Sequence, residues 1–282
     1  MVFMLRRGSA GTAHLDRFAW RAGLSLDAHG MVIGLRASDT TALPALRRMV
    51  PPGARLTDAR VVDSLYSLVI GEDRGRIHTL YEDAECAERS GDLDELLVAF
   101  RSRVHLKVAA GARTRLFIHA GVVGWRGAAI LIPGRSHSGK SSLVAALVAA
   151  GATYYSDEYA VLDDAGFVHP FARPLGIRDA TGRTRHVEPS SIGAVVGDAP
   201  LPVGLVVVSQ FAPGAEWRPT RLSPGETVLA LLENTVAVRS RPADTLKILS
   251  AAVTDAEALR GVRGDATPLA EQLLARCTTP TR

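Results

Sequence analysis

The 282 residues include 47% apolar side chains and 22% charged ones, enough to close a core and unlike a disordered chain. Thirty-three basic residues, only three of them lysines, stand against 29 acids for a net charge of +4. No basic run is interleaved with aromatics, and no apolar stretch reaches the roughly 18 residues of a membrane span, which argues against a nucleic-acid binder and a transmembrane protein.

The opening Met1-Val2-Phe3-Met4-Leu5-Arg6-Arg7-Gly8 places its arginines after the apolar residues, the reverse of a secretory signal. Cys86 and Cys277 are far apart and form no metal spacing, so they read as thiols of a reducing, cytoplasmic setting. From about 28 to 106 the pattern is that of a mixed α+β module. A strand is expected at 30–36 and a helix at 39–50 stopped by Pro51-Pro52. Further strands are expected at 64–70 and 76–81. Leu93, Leu96, Leu97, Phe100, Val104 and Val108 then recur on one side of a helix. His78 and the tyrosines lie in strand patterns and read as packing residues.

From Arg115 the texture becomes β-rich. A strand is expected at 116–123, a turn at 124–127, and a second strand at 128–132. A helix runs to about Ala150, with Gly151 as its cap, and a short strand at 153–156 ends on Asp157-Glu158. A strand pair at 159–163 and 167–169 brackets Asp164-Ala165-Gly166. A buried strand at 204–209 and three helices follow, beginning at Ser223 with an S-x-x-E capping box and near Ala243 and Thr267. The segment 170–189 is rich in turn residues and carries Arg173, Arg178, Arg183 and Arg185, as a mobile loop closing on an anionic substrate would. Ser209-Gln210-Phe211 and Arg239-Ser240-Arg241 are further candidates for the same neighbourhood.

The motif that carries chemistry is Gly134-Arg135-Ser136-His137-Ser138-Gly139-Lys140-Ser141, a G-x-x-x-x-G-K-[ST] sequence between a strand and a helix. Its glycines let backbone N–H groups curl around phosphate oxygens, and the helix N-terminus adds positive partial charge. Lys140 then reaches the outer phosphates and the Ser141 hydroxyl reaches Mg²⁺. The loop, with Ser142 behind it, is the expected nucleotide site, and a lysine here is the more telling in a chain that otherwise uses arginine. Asp157 and Glu158 close a strand expected beside this loop. There one carboxylate can serve Mg²⁺ while another group orients or deprotonates an attacking hydroxyl.

Residues 119–162 resemble the catalytic core of bacterial HPr kinase/phosphorylase. The likeness rests on His119-Ala120-Gly121-Val122 fifteen residues before Gly134, on Gly139-Lys140-Ser141, on 151–156 and on the acid pair. Related kinases of peptide natural-product pathways, which phosphorylate a serine of a precursor peptide, are the nearer likeness. The resemblance implies that Asp157 and Glu158 divide Mg²⁺ binding and general-base duty, and that His119 lies near the phosphates. Glu158 stands where that family has a second aspartate, and Ser142 where it has an acid after the loop serine. No C-terminal phosphorolysis signature is found.

The expectation is an α/β chain with a smaller N-terminal α+β module, 1–110, and a P-loop domain of HPr kinase type, 111–282. Its expected activity is transfer of the γ-phosphoryl of ATP, with Mg²⁺, to a hydroxyl, first of all a peptide or protein serine. The expected catalytic residues are Lys140, His119, Asp157 and Glu158, with Ser141, Asp157 and Glu158 at the metal. A nucleotide-binding regulator and a small-molecule hydroxyl kinase are the alternatives. The sequence leaves the oligomeric state open, a homo-oligomer included.

Overall fold

The computed structural model describes residues 3–6, 13–71, 77–134, 138–178 and 184–277. The chain is a mixed α/β protein that divides into two compact units, Met1–Arg113 and Thr114–Arg282. The boundary falls three residues beyond the expected one. Arg113 belongs to the first unit because its backbone N–H donates to the His29 carbonyl and its guanidinium grips both Asp63 oxygens, at 2.7 and 3.0 Å.

In the first unit, β1 (Met4–Leu5) pairs with β5 (Val61–Val62). The main sheet has the order β4-β2-β3-β6-β7-β8. Its strands are β2 (Ala22–Ala28), β3 (Met31–Ala37), β4 (Arg55–Thr57), β6 (Ser64–Val69), β7 (His78–Glu82) and β8 (Glu85–Ser90). The helix expected over 39–50 is shorter: Thr40–Ala42 is a 3₁₀ turn and α1 spans Leu43–Arg48. The long helix α2 (Leu93–Gly111) is N-capped by the Asp92 carboxylate and buries Leu96, Leu97, Phe100, Val104 and Val108. Tyr66, Tyr81 and His78 are buried in the sheet.

The second unit is built on an eight-stranded sheet, β13-β12-β9-β10-β16-β18-β17, with β11 beside the second half of β9. The first two strands, β9 (Leu116–Trp125) and β10 (Ala128–Pro133), form a hairpin whose loop is Arg126-Gly127 alone. Both loop residues have positive φ, as a two-residue hairpin turn requires, so Gly124 and Trp125 stay in the strand rather than in the turn expected there. Then come α3 (Lys140–Ala149), β11 (Thr153–Ser156), β12 (Tyr159–Leu162) and β13 (Val168–His169). A small separate hairpin, β14 (Leu175–Arg178) with β15 (Thr184–Val187), precedes β16 (Val203–Phe211) and β17 (Thr220–Arg221). The chain closes with α4 (Pro224–Leu232), α5 (Pro242–Val253), β18 (Glu257–Arg263) and α6 (Ala266–Arg276).

Strand alternation divides the core in two. Ala129 and Leu131 of β10 and Val206 of β16 join Leu231, Ile248 and Leu249 under α4 and α5. Ile130, Ile132, Leu205 and Val207 point the other way and join Leu143, Val144, Leu147, Leu269 and Leu273 under α3 and α6. A strand covered on both faces needs an unbroken apolar run, which is why β10 reads Ala-Ala-Ile-Leu-Ile. Because β10, β16 and β18 are mutually parallel, the loops after all three open on the same edge of the sheet. That edge is where open α/β sheets place their ligands.

Candidate functional site

The phosphate-loop sequence leaves β10 at this edge. Gly134 stays tied to the sheet, its N–H donating to the His119 carbonyl at 3.2 Å. Arg135, Ser136 and His137 lie outside the described residues. Gly139 caps α3 with φ +86°, and a Cβ on it would come 2.3 Å from a guanidinium nitrogen of Arg263. The backbone angle favours glycine, and a side chain there would also displace the Arg263 guanidinium. From there the first turn of α3 carries Lys140, Ser141 and Ser142, and the positive end of the helix dipole there favours a bound anion. Ser142 is exposed and Ser141 is half-buried.

The acids stand opposite this turn. β11 ends at Ser156, whose side-chain oxygen accepts from the backbone N–H groups of Glu158 and Tyr159 and fixes the bend. The bend turns Asp157 inward, only 7% exposed, and leaves Glu158 half-buried. Asp157 accepts three hydrogen bonds: from the Ser141 hydroxyl at 3.1 Å, from the Gly176 N–H at 2.8 Å, and from the Tyr154 hydroxyl at 3.3 Å. The single Tyr154 proton is divided between Asp157 and the Arg173 carbonyl at 2.8 Å, and burial pushes this phenol well above its usual range. Glu158 forms an ion pair with Arg173, whose side chain is nearly buried.

Lys140 lies between the two groups of residues. Its ammonium donates to the Gly134 carbonyl at 2.7 Å. Burial lowers its pKa, and the negative charge of Asp157 works against that fall. His119 packs its ring on Tyr159 with centroids 4.7 Å apart. Its pKa is lowered as well, first by burial and then by the Lys140 charge. The imidazole is accordingly neutral at pH 7.

Lys140, Ser141 and Asp157 thus meet at one place, with His119 coupled to Lys140 and Glu158 next in the chain to Asp157. The segment 170–189 differs from the loop expected of it. Phe171 and Leu175 are buried, and residues 175–178 and 184–187 pair as a hairpin whose Gly176 supports Asp157. Of its arginines, Arg173 is in the site and Arg185 is exposed; Arg183 and the Arg178 side chain lie outside the described residues. Arg241 donates to the Arg115 carbonyl at the start of β9, whereas Phe211, at the end of β16, lies beside Gly139 and under the Arg263 guanidinium.

Three contributors escaped the sequence reading: Tyr154, Gly176 and Arg263. Tyr154 sits in a strand pattern and signals only packing. Arg263 is one arginine among thirty-three basic residues, and nothing local marks it as buried.

No family model matches the chain, and no curated protein matches it. Among solved structures it is similar to the HPr(Ser) kinase/phosphatase from Coxiella burnetii, at 16% identity and a TM-score of 0.30. That match covers 57% of this chain and 93% of the other.

Proposed function

We propose that the second unit is a phosphotransferase that binds Mg·ATP at residues 134–142 and transfers the γ-phosphoryl group to a hydroxyl, a serine of a peptide or protein first among acceptors. The observation that carries this reading is the 3.1 Å contact between the Ser141 hydroxyl and the Asp157 carboxylate. A loop serine and a strand-end aspartate are the groups that P-loop enzymes place on Mg²⁺. The donors here are hard oxygens, which suit that ion. Among the described residues no three His, Cys, Asp or Glu side chains cluster. This fits Mg²⁺, which is commonly held by one or two carboxylates together with substrate phosphates. A bound Mg²⁺ would supply positive charge against the phosphate oxygens.

The chain's own groups divide the remaining work. Lys140 moves from the Gly134 carbonyl to the outer phosphates. Asp157 is held in place by Tyr154 and Gly176. The Glu158–Arg173 pair separates when acceptor enters, which frees a carboxylate to take the hydroxyl proton and a guanidinium to meet the transferring phosphoryl oxygens. Neutral His119 can hydrogen-bond beside Lys140 without adding charge repulsion.

One observation favours a second reading. Glu158 is already paired with Arg173, as it would be in a protein that binds nucleotide for regulation and does not transfer phosphate.

Calorimetric titration with Mg·ATP tests the shared premise. Lys140→Ala removes the main side-chain cation from a partly desolvated site and should weaken binding at least a hundredfold, with the fold retained by circular dichroism. Unchanged affinity in the folded variant would remove the loop from the site.

A further inference from the structure

A cavity opens on the same sheet edge. It is an open cleft of about 530 Å³ between the loop after β16 and the β18–α6 junction, lined by Trp217, Arg218, Arg263, Asp265, Leu269 and Gln272 among others. Its volume lies within the roughly 300–1,000 Å³ of small-molecule sites. The cleft reaches the phosphate loop through one side chain. Arg263 is 2% exposed, donates through Nη2 to the Gly139 carbonyl at 2.9 Å and through Nη1 to the Gly264 carbonyl at 2.9 Å, and lies 5.3 Å over the Phe211 ring. Its Nε has no hydrogen-bond partner among the described residues. A buried guanidinium with an unused donor is costly unless a ligand or solvent completes it.

The lining matches one kind of molecule. Trp217 lies against Gly261, where a Cβ would come 2.8 Å from the indole, so the aromatic surface is set firmly on β18. Indole and Leu269 suit a flat heteroaromatic ring. The Gln272 amide carries both a donor and an acceptor for the edge of such a ring, and the Asp265 carboxylate accepts from vicinal hydroxyls. An aromatic wall, a two-way amide and a carboxylate, joined by a guanidinium to a phosphate loop, fit a nucleoside whose phosphate tail leads to that loop.

We infer that this cleft is the nucleoside subsite of the enzyme, holding the base and ribose of the nucleotide while Arg263 links it to the loop at Gly139. The inference rests on the nucleotide-binding reading given above. Calorimetry on the full chain separates the two, using ATP and inorganic tripolyphosphate, each with Mg²⁺. Gln272 and Arg218 are exposed, so Gln272→Ala and Arg218→Ala should leave folding intact. Trp217→Phe serves as a milder aromatic change. The subsite predicts at least a tenfold loss of ATP affinity in the Gln272→Ala, Arg218→Ala double variant and no change for tripolyphosphate. Lys140→Ala should weaken both ligands. ATP should also quench Trp217 emission, an effect absent with tripolyphosphate and absent in Trp217→Phe. If the double variant binds ATP like the wild type, the nucleoside lies elsewhere, while the loop assignment stands on Lys140→Ala. If the wild type binds tripolyphosphate as tightly as ATP, no nucleoside subsite exists. If neither ligand binds, both readings fall.

Discussion

His119 stacks on an aromatic ring beside a cation, and it is burial and the Lys140 charge that favour its neutral form. Tyr159, on which it stacks, is itself pushed up to about 12 by burial, so it carries no charge at working pH. The folded pKa of His119 is depressed below the ordinary 6.5, chiefly by burial and further by Lys140. As pH falls from 6.5 toward that lower value, the unfolded chain takes up the proton first. The contribution of His119 to stability is therefore complete above 6.5 and is lost as pH falls through the window beneath it. Histidine ring titration by NMR should place its inflection below 6.5 in the free protein, and Mg·ATP should raise it by bringing anions to Lys140. An inflection at or above 6.5 without ligand would contradict the electrostatic description of the site. Some of this was legible in the residues and some was not. Gly134, Gly139, Lys140 and Ser141 announce themselves through spacing, because a backbone cradle needs glycine at fixed places. Tyr154 and Arg263 do not, because their roles depend on tertiary contacts that no spacing encodes.

At the scale of elements, α3 is set on the sheet by the absence of a side chain. A Cβ on Gly121 would come 2.5 Å from a Val144 methyl, so β9 must carry glycine where the phosphate-loop helix crosses it. Gly121→Val should lower unfolding free energy by about 1–3 kcal/mol through overpacking and should weaken ATP binding by shifting α3. Denaturant unfolding checks the first effect and calorimetry the second, and a variant as stable as the wild type would show that α3 is not seated there. The strands that sequence reasoning found include those with apolar runs, β9, β10 and β16, and those with apolar or aromatic alternation, such as β3, β6 and β7. It missed β8, whose Glu85-Cys-Ala-Glu-Arg-Ser sequence is that of a polar sheet edge. It also missed β18, in which Arg260, Gly261 and Arg263 interrupt the apolar pattern. Gly261 is needed there to admit Trp217, and Arg263 to reach the loop, so the residues that hid the strand are the ones that tie it to the cleft.

Across the whole molecule, the residues of the proposed site gather in the second unit, on the edge where β10, β16 and β18 end. A ligand that binds only the folded protein stabilises it by about 2.7 kcal/mol at a hundred times its dissociation constant. Nucleotide binding alone, however, does not separate an enzyme from a regulator. The separation lies in Asp157 and Glu158, for loss of a positioned base costs on the order of a hundred- to ten-thousandfold in rate while binding can persist. The deciding measurement is transfer of label from γ-labelled ATP to serine-containing peptides, proteins and small hydroxyl compounds, by wild type, Asp157→Asn and Glu158→Gln. The kinase reading predicts labelled acceptor with the wild type, and in both variants a rate at least a hundredfold lower with ATP affinity changed far less. Absence of labelled acceptor, or equal rates in all three proteins, would contradict it.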